Sequence, residues 1–272
     1  MRGNVQACAT VRCAVVGHVE WVEFAVVERV PTRGEIAHAL ATFEDAAGGG
    51  PVAAVQLAKL AGACDFFTAL GDDELGRKAV AALEARGLTM HVQWKAKPTR
   101  RGFVFLDGAG ERTITVIGER LQPRGALPID HDAVYFTAGD EHALEAARRA
   151  RVLVATVRAG ETLRAGVELD ALVGSGEDED ERFDRASLDP PPRLVVSTAG
   201  ALGGWTRPGG PFRPAPVPGE IVDAYGCGDS FAAGLTFALG RGDSTADAVA
   251  LAARCGAAVL TGRGPYSAQI SE

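Results

Sequence analysis

From about Asp65 onward, short apolar runs alternate with segments whose apolar residues recur every three or four positions, the pattern of βαβ units around a largely parallel sheet. The run DFFTAL (65–70) predicts a strand. Asp72 or Asp73 can cap the helix that follows, Leu75, Ala79 and Leu83 share one of its faces, and Gly87 stops it. DAVYF (132–136), a helix over 141–150, RVLVA (151–155) and RLVVS (193–197) continue the alternation, with β-branched runs short enough for strands buried on both faces. Two stretches break this rhythm. Residues 19–43 and 92–117 have the pattern of extended, half-exposed segments, and in the second a turn at Asp107-Gly108-Ala109-Gly110 joins FVFL to TITVI as a hairpin. Together they predict a small separate sheet, which beside a βαβ core can act as a lid that keeps water from a reacting group. The acidic segment 174–184 and the Pro/Gly-rich segment 207–219 read as loops too short to divide the chain, so one domain is expected over 1–272.

Composition narrows the function classes. A chain of 272 residues, 47% of them hydrophobic, can bury one large core. The net charge of -7 leaves no basic surface for phosphate backbones or anionic lipid heads, so neither nucleic acid nor a membrane is expected as a partner. The N-terminal MRGNVQACAT has no apolar signal core, and the apolar run over 11–27 is interrupted by Arg12, His18, Glu20 and Glu23; a cytoplasmic location is expected. Five cysteines, an odd number without a Cys-x-x-Cys pair, predict free thiols rather than a disulfide framework or a zinc site.

The most informative stretch is VDAYGCGDSFAAGLTFALGRG (222–242), where Gly226 and Gly228 flank Cys227 ahead of a helix carrying Phe231, Leu235 and Leu239 on one face. Glycines there let successive NH groups point into one concavity, to which the helix dipole adds positive charge, a nest suited to a phosphate. An aspartate at its rim, Asp229, would repel a merely bound anion but can serve as the base that takes a proton from an attacking hydroxyl. The alternative for the same residues is a capping turn with an N-terminal aspartate.

DAYGCGDSF resembles the D-T-x-G-A-G-D-x-F signature of the PfkB (ribokinase-like) carbohydrate kinases, and GGGPVAAVQLAKLAGACDFFTALGDDELG (48–76) resembles their N-terminal signature. VYFTAG (134–139), VVSTAGALGG (195–204) and LAARCGAAVLTGRG (251–264) fall where that family has its central strand, nucleotide loop and last helix. The resemblance implies a three-layer α/β/α fold with a mostly parallel sheet and a small β lid, and an ATP- and Mg2+-dependent transfer of the γ-phosphoryl group to a hydroxyl of a small sugar-like or nucleoside-like metabolite. It implies Asp229 as catalytic base, the backbone of Gly226, Cys227 and Gly228 as anion hole, Thr198, Gly200 and Gly203 in the ATP loop, and Gly48 and Gly49 as paired glycines bordering the acceptor and hinging the lid. Asp223 matches the position that helps hold K+ in members needing a monovalent cation.

Departures from the family pattern shape the expected substrate. Where the family has Asn-x-x-Glu for magnesium-bound water, this chain has Ser175-Gly176-Glu177-Asp178, which leaves Asp178 or Glu177 for the magnesium region. The sugar-holding aspartate aligns with Val22, with Glu20 and Glu23 close by, and the asparagine after the paired glycines aligns with Val52. Apolar residues at both positions predict an acceptor with an apolar or aromatic portion, such as a nucleoside, in preference to ribose. A catalytically weak nucleotide-binding regulator of the same fold is the alternative.

Other features carry weaker expectations. Gly48, Gly50 and Ala53 also fit a dinucleotide-binding fingerprint with Asp72 as the acidic partner, although 38–47 places Glu44 and Asp45 where a buried strand is required. His18 follows the first strand, either as a polar loop residue or in view of the substrate, and the Arg100-Arg101 pair either is solvated or meets an anionic acceptor group. Trp21 and Trp94 fall in the two lid segments, where packing or a homodimer contact would use them. At the mouth of the nest the Cys227 thiol is expected to have a lowered pKa, the alternative being that it faces the core as a small hydrophobe.

Overall fold

A computed structural model describes residues 10–181 and 187–271. The expected loop over 174–184 therefore lies partly outside the described residues, as do Cys8 and most of the N-terminal segment. In chain order the elements are β1 (Cys13–Val16), β2 (Glu20–Val26), β3 (Ala41–Ala47), α1 (Gly49–Ala61), β4 (Cys64–Gly71), α2 (Glu74–Glu84), β5 (Leu88–Lys95), β6 (Arg101–Leu106) and β7 (Arg112–Ile117). Then follow β8 (Ala133–Phe136), α3 (Glu141–Ala147), β9 (Val152–Thr156), β10 (Ala171–Ser175), β11 (Leu194–Thr198), β12 (Gly204–Arg207), β13 (Gly210–Phe212), α4 (Cys227–Arg241) and α5 (Thr245–Val259).

Nine strands form the main sheet in the order β13-β12-β11-β10-β9-β8-β1-β4-β5. Every pairing from β5 to β11 is parallel, and β12 and β13 close one edge antiparallel. Strand β1 shows why both faces are covered. Cys13 and Val15 pack into a core with α1, α4 and α5, whereas Ala14 and Val16 pack into a second core with α3, because successive side chains of a strand point to opposite faces. Fully buried Leu57, Leu172 and Leu235 each contribute about 1.5–3 kcal/mol relative to exposure.

The second sheet has the order β3-β2-β6-β7, with β2 and β6 parallel and its other pairs antiparallel. This is the expected lid with corrected limits. Strand β5 belongs to the main sheet, paired with β4 from Cys64↔Leu88 to Gly71↔Lys95, and Ala41–Ala47 belongs to the lid. As an edge strand with half-buried faces, β5 has the same hydrophobic pattern as a lid strand, so periodicity assigns it to the wrong sheet. Trp94 follows β5 out of the lid; Trp21 is buried there, donating to Glu44 Oε2 at 2.9 Å. The Pro/Gly-rich stretch supplies the turn and second strand of the short hairpin β12–β13, and α3 ends three residues before the expected Ala150.

Helix starts divide into two kinds. Asp73 caps α2 by accepting the Gly76 amide at 2.8 Å, Asp140 caps α3 through Ala143 at 2.9 Å, and Ser244 caps α5 through Asp247 at 3.2 Å. Helices α1 and α4 instead begin after glycines at positive φ, Gly48 at 95° and Gly226 at 83°, and no side chain caps either. Their first-turn amides are left for another partner. Among the described residues no helix is long and apolar enough to cross a membrane.

Candidate active site

The two uncapped helix starts meet at Asp229. A Cβ on Gly49, the first residue of α1, would fall 2.8 Å from Asp229 Oδ1, and Asp229 itself lies in the first turn of α4. The carboxylate therefore sits where two helix dipoles present their positive ends. Gly226 is packed closely, since a Cβ there would come within 2.8 Å of Val52 Cγ1, whereas Gly228 faces open space. The Gly228 side of the turn is thus an open cradle of backbone suited to an anion.

Neighbours hold this turn in place. Both oxygens of Asp223, 1% exposed, accept backbone amides, Oδ1 from Tyr225 at 2.8 Å and Oδ2 from Gly264 at 2.6 Å. The Asp223 side chain thus clamps the Gly226–Gly228 turn to the last turn of the chain. The Tyr225 hydroxyl accepts the Gly48 amide at 3.2 Å, and its ring meets lid residue Phe24 edge-on at 5.1 Å. The lid tip also touches the loop, with the Ala224 amide donating to Gly110 O at 3.1 Å.

Charge around Asp229 comes from residues that the motif does not contain. Burial raises its pKa to about 6, against the pull of Arg112 and Arg158 and with a further push from Glu181. The residue is nevertheless only partly buried as a whole. Arg112 starts lid strand β7. Arg158 follows β9 and forms ion pairs with Asp178 and Glu181, and Glu181 also accepts the Ser175 amide at 2.8 Å. The acidic run over 177–181 is therefore partly structural, and Asp178, expected in the magnesium region, is engaged by a guanidinium.

Cys227 corrects a second expectation. Its thiol is pushed up from its ordinary pKa by burial, which outweighs the lowering by Arg112 and by the Gly228 amide, while Asp229 adds to the rise. A helix N-terminus favours a thiolate only where water or a cation replaces the hydration that burial removes.

Thr198 ends β11 beside Ser175 of β10. Gly200 and Gly203 follow in a tight turn with φ 48° and 89°, where a Cβ on Gly203 would meet Phe212 O at 2.2 Å. These residues, Asp229 and Arg158 all lie beyond the carboxyl ends of the parallel strands, the side of such a sheet that binds ligands.

The apolar acceptor wall expected from Val22 and Val52 is absent from the cleft. Both are 0% exposed within the main core, and Val22 packs 3.0 Å from where a Cβ on Gly102 would lie. The polar side chain at this end is Glu20. A Cβ on Gly48 would lie 3.5 Å from His18 Nε2 and 3.6 Å from Glu20 Cγ, so the paired glycines have Asp229 on one side and the His18–Glu20 pair on the other. The dinucleotide fingerprint also fails, because β3 ahead of Gly48 is an antiparallel lid strand, not the parallel strand of a βαβ unit.

A three-layer α/β/α sheet with a β lid over a glycine-rich turn defines the ribokinase-like architecture. The sequence matches the family described as pfkB family carbohydrate kinase over residues 11–140 and 165–271. The chain belongs to the pfkB family of carbohydrate kinases. It is 26% identical over 260 residues to the aminoimidazole riboside kinase of Salmonella typhimurium, covering 79% of this chain and 81% of that one. Among solved structures it resembles the Arabidopsis thaliana ribokinase complexed with ribose and ATP, with TM-score 0.72, 20% identity and 96% of each chain covered. It also resembles the Burkholderia thailandensis nucleoside kinase in complex with inosine, with TM-score 0.75, 15% identity, and 95% and 94% of the two chains covered.

Proposed function

We propose that this protein is an ATP-dependent kinase that transfers the γ-phosphoryl group to a hydroxyl of a small sugar-like or nucleoside-like metabolite, the whole chain acting as one catalytic domain with its lid. The observation that carries the reading is the Asp229 carboxylate at the joint N-termini of α1 and α4. In this reading the nucleotide lies along Thr198, Gly200 and Gly203 with its terminal phosphate over the Gly226-Cys227-Gly228 turn. Asp229 accepts the proton as the acceptor oxygen attacks, and the amides of the turn, with Arg112 and Arg158, stabilise charge on the transferring group. A base of pKa about 6 is ionised at neutral pH. The lid hairpin touching Ala224 excludes water that would otherwise compete with the acceptor.

Magnesium enters with the phosphates of ATP. The described residues do not fit a cage of their own, since no three His, Cys, Asp or Glu side chains are grouped to hold a metal and Asp178 is paired with Arg158. No step is assigned to a protein-held ion, and none to potassium at Asp223. The engagement of Asp178 favours one other reading, a nucleotide-binding regulator without turnover.

The two readings separate when the protein is incubated with MgATP and a panel of polyols, sugar derivatives and nucleosides, and the products are examined by mass for one added phosphoryl group. Transfer to any acceptor supports the kinase. Tight ATP binding with no transfer supports the regulator, and absence of ATP binding sinks both.

A further inference from the structure

At the root of the lid, beyond Gly48 from Asp229, the structure gathers polar groups with incomplete pairing. His18 lies between β1 and β2, Glu20 opens β2, Arg100 immediately precedes β6 and Arg120 lies just after β7. Glu20 is the shared carboxylate, 3.5 Å from His18 Nε2 and 3.1 Å from Arg100 Nε. Neither contact completes the set. Arg100 Nε is directed off the line of a hydrogen bond, and His18 Nδ1 and Thr137 Oγ1, both buried, have no partner. Among the described residues Arg120 forms no ion pair; its Nη1 donates to the carbonyl of Arg158 at 3.4 Å. Its side chain is exposed.

The charge count at this corner does not balance. One carboxylate, Glu20, lies in the field of Arg100 and Arg120; burial pushes its pKa up, but the His18 contact first and then the two arginines bring it below the usual range. Arg120 is pulled down by burial and by Arg100, with Arg158 adding to the crowding. His18, lowered by burial, adds a neutral ring with one nitrogen unpaired. A neutral polyol would leave the like charges of Arg100 and Arg120 opposed by Glu20 alone. An oxyanion would neutralise them and take the free donors, and charge-assisted hydrogen bonds are the stronger kind.

We propose that the acceptor carries an anionic group, a carboxylate or a phosphate, held by Arg120 and Arg100 at the lid root while its hydroxyl reaches Asp229 past Gly48 and Gly49. This rests on the kinase reading for the direction of the hydroxyl, and on the lid-root cluster alone for the anion. Buried Val22 and Val52 fit the same picture, because the polar work at this end falls to Glu20, His18 and the two arginines.

The test compares matched acceptors differing in the charged group: D-ribose, D-ribonate and D-ribose 5-phosphate, with D-glucose and D-gluconate as a second pair. Each is measured for binding by calorimetry in the presence of a non-hydrolysable ATP analogue and for phosphorylation with MgATP. The expected result is that at least one anionic compound binds about tenfold or more tightly than its neutral parent. Arg120→Gln should then remove about tenfold of that affinity while changing neutral sugars by less than about twofold, and Arg120→Lys should restore part of it. The ribonate and ribose 5-phosphate arms decide between carboxylate and phosphate. Equal binding of neutral and anionic members, or equal loss of both in Arg120→Gln, overturns the proposal. Anion binding that depends on Arg120 without transfer to any acceptor upholds the subsite and counts against the kinase reading instead, so the two failures are distinct. Arg120 is at the surface, so its variants should fold; thermal melts confirm it.

Discussion

Asp229 Oδ1 lies 2.8 Å from the point where a Cβ on Gly49 would stand. A glycine at the start of α1 and an aspartate at the start of α4, 180 positions apart in the chain, thereby define one site. The requirement on Gly49 is space and not backbone freedom, because its φ lies outside the left-handed region. Gly49→Ala should therefore fold with nearly unchanged melting temperature, since alanine suits a helix, while kcat falls about ten- to a hundredfold as the carboxylate is pushed off line. Unchanged kcat in a folded variant would show that Asp229 is not positioned by α1.

The raised pKa of Asp229 makes a second prediction, on stability. A folded-state value of about 6 above the ordinary 3.8 means that the native state binds this proton more tightly than the unfolded chain does. The contribution is fully present below about pH 4 and is lost as pH rises through about 6. Asp229→Asn, which carries no such charge, should be more stable than the wild type by about 1–3 kcal/mol at pH 8, with the difference fading toward pH 4. Comparing the two by denaturant titration cancels the other carboxylates, several of which shift downward. With Asp229 as the proposed base, the same value predicts that wild-type kcat/KM falls below about pH 6 as this carboxylate protonates.

Asp223→Ala would leave the buried amides of Tyr225 and Gly264 without their acceptor. A loss of about 2–5 kcal/mol is expected, with or without nucleotide, together with a higher KM for ATP as the anion turn loosens. Stability within about 0.5 kcal/mol of the wild type would refute the clamp.

Cys227 should react slowly with iodoacetamide at pH 7, because burial holds it as the thiol, and faster as pH rises. The proposed anion hole uses backbone amides and not this side chain, so Cys227→Ala should keep turnover within about twofold. Fast modification at pH 7 that MgATP prevents would contradict this.

Local chemistry made much of the fold legible. Asp73 caps a helix as its sequence context demands, the Asp107–Gly110 turn joins an antiparallel pair, and the glycines around Cys227 open a helix. Elements whose assignment depends on neighbours were not legible in the same way. Strand β5 has the burial pattern of a lid strand yet pairs with β4. Val22 and Val52 align with polar ligand positions but point into the core. Arg112, Arg120 and Arg158 belong to no motif in the chain, and only tertiary packing brings them and Glu181 toward Asp229 and Glu20. Their one local sign is position: each follows closely upon a strand end or a turn, where side chains project from the rim of a sheet.

The most direct test of the account is single-turnover transfer of the γ-phosphoryl group by wild type and Asp229→Asn on the best acceptor, beside the ATP affinity of each. Transfer is expected to be slower by about two to four orders of magnitude in the variant, with ATP affinity changed by less than about threefold. Transfer at the wild-type rate, or a loss of ATP binding that accounts for the whole defect, would contradict Asp229 as the base.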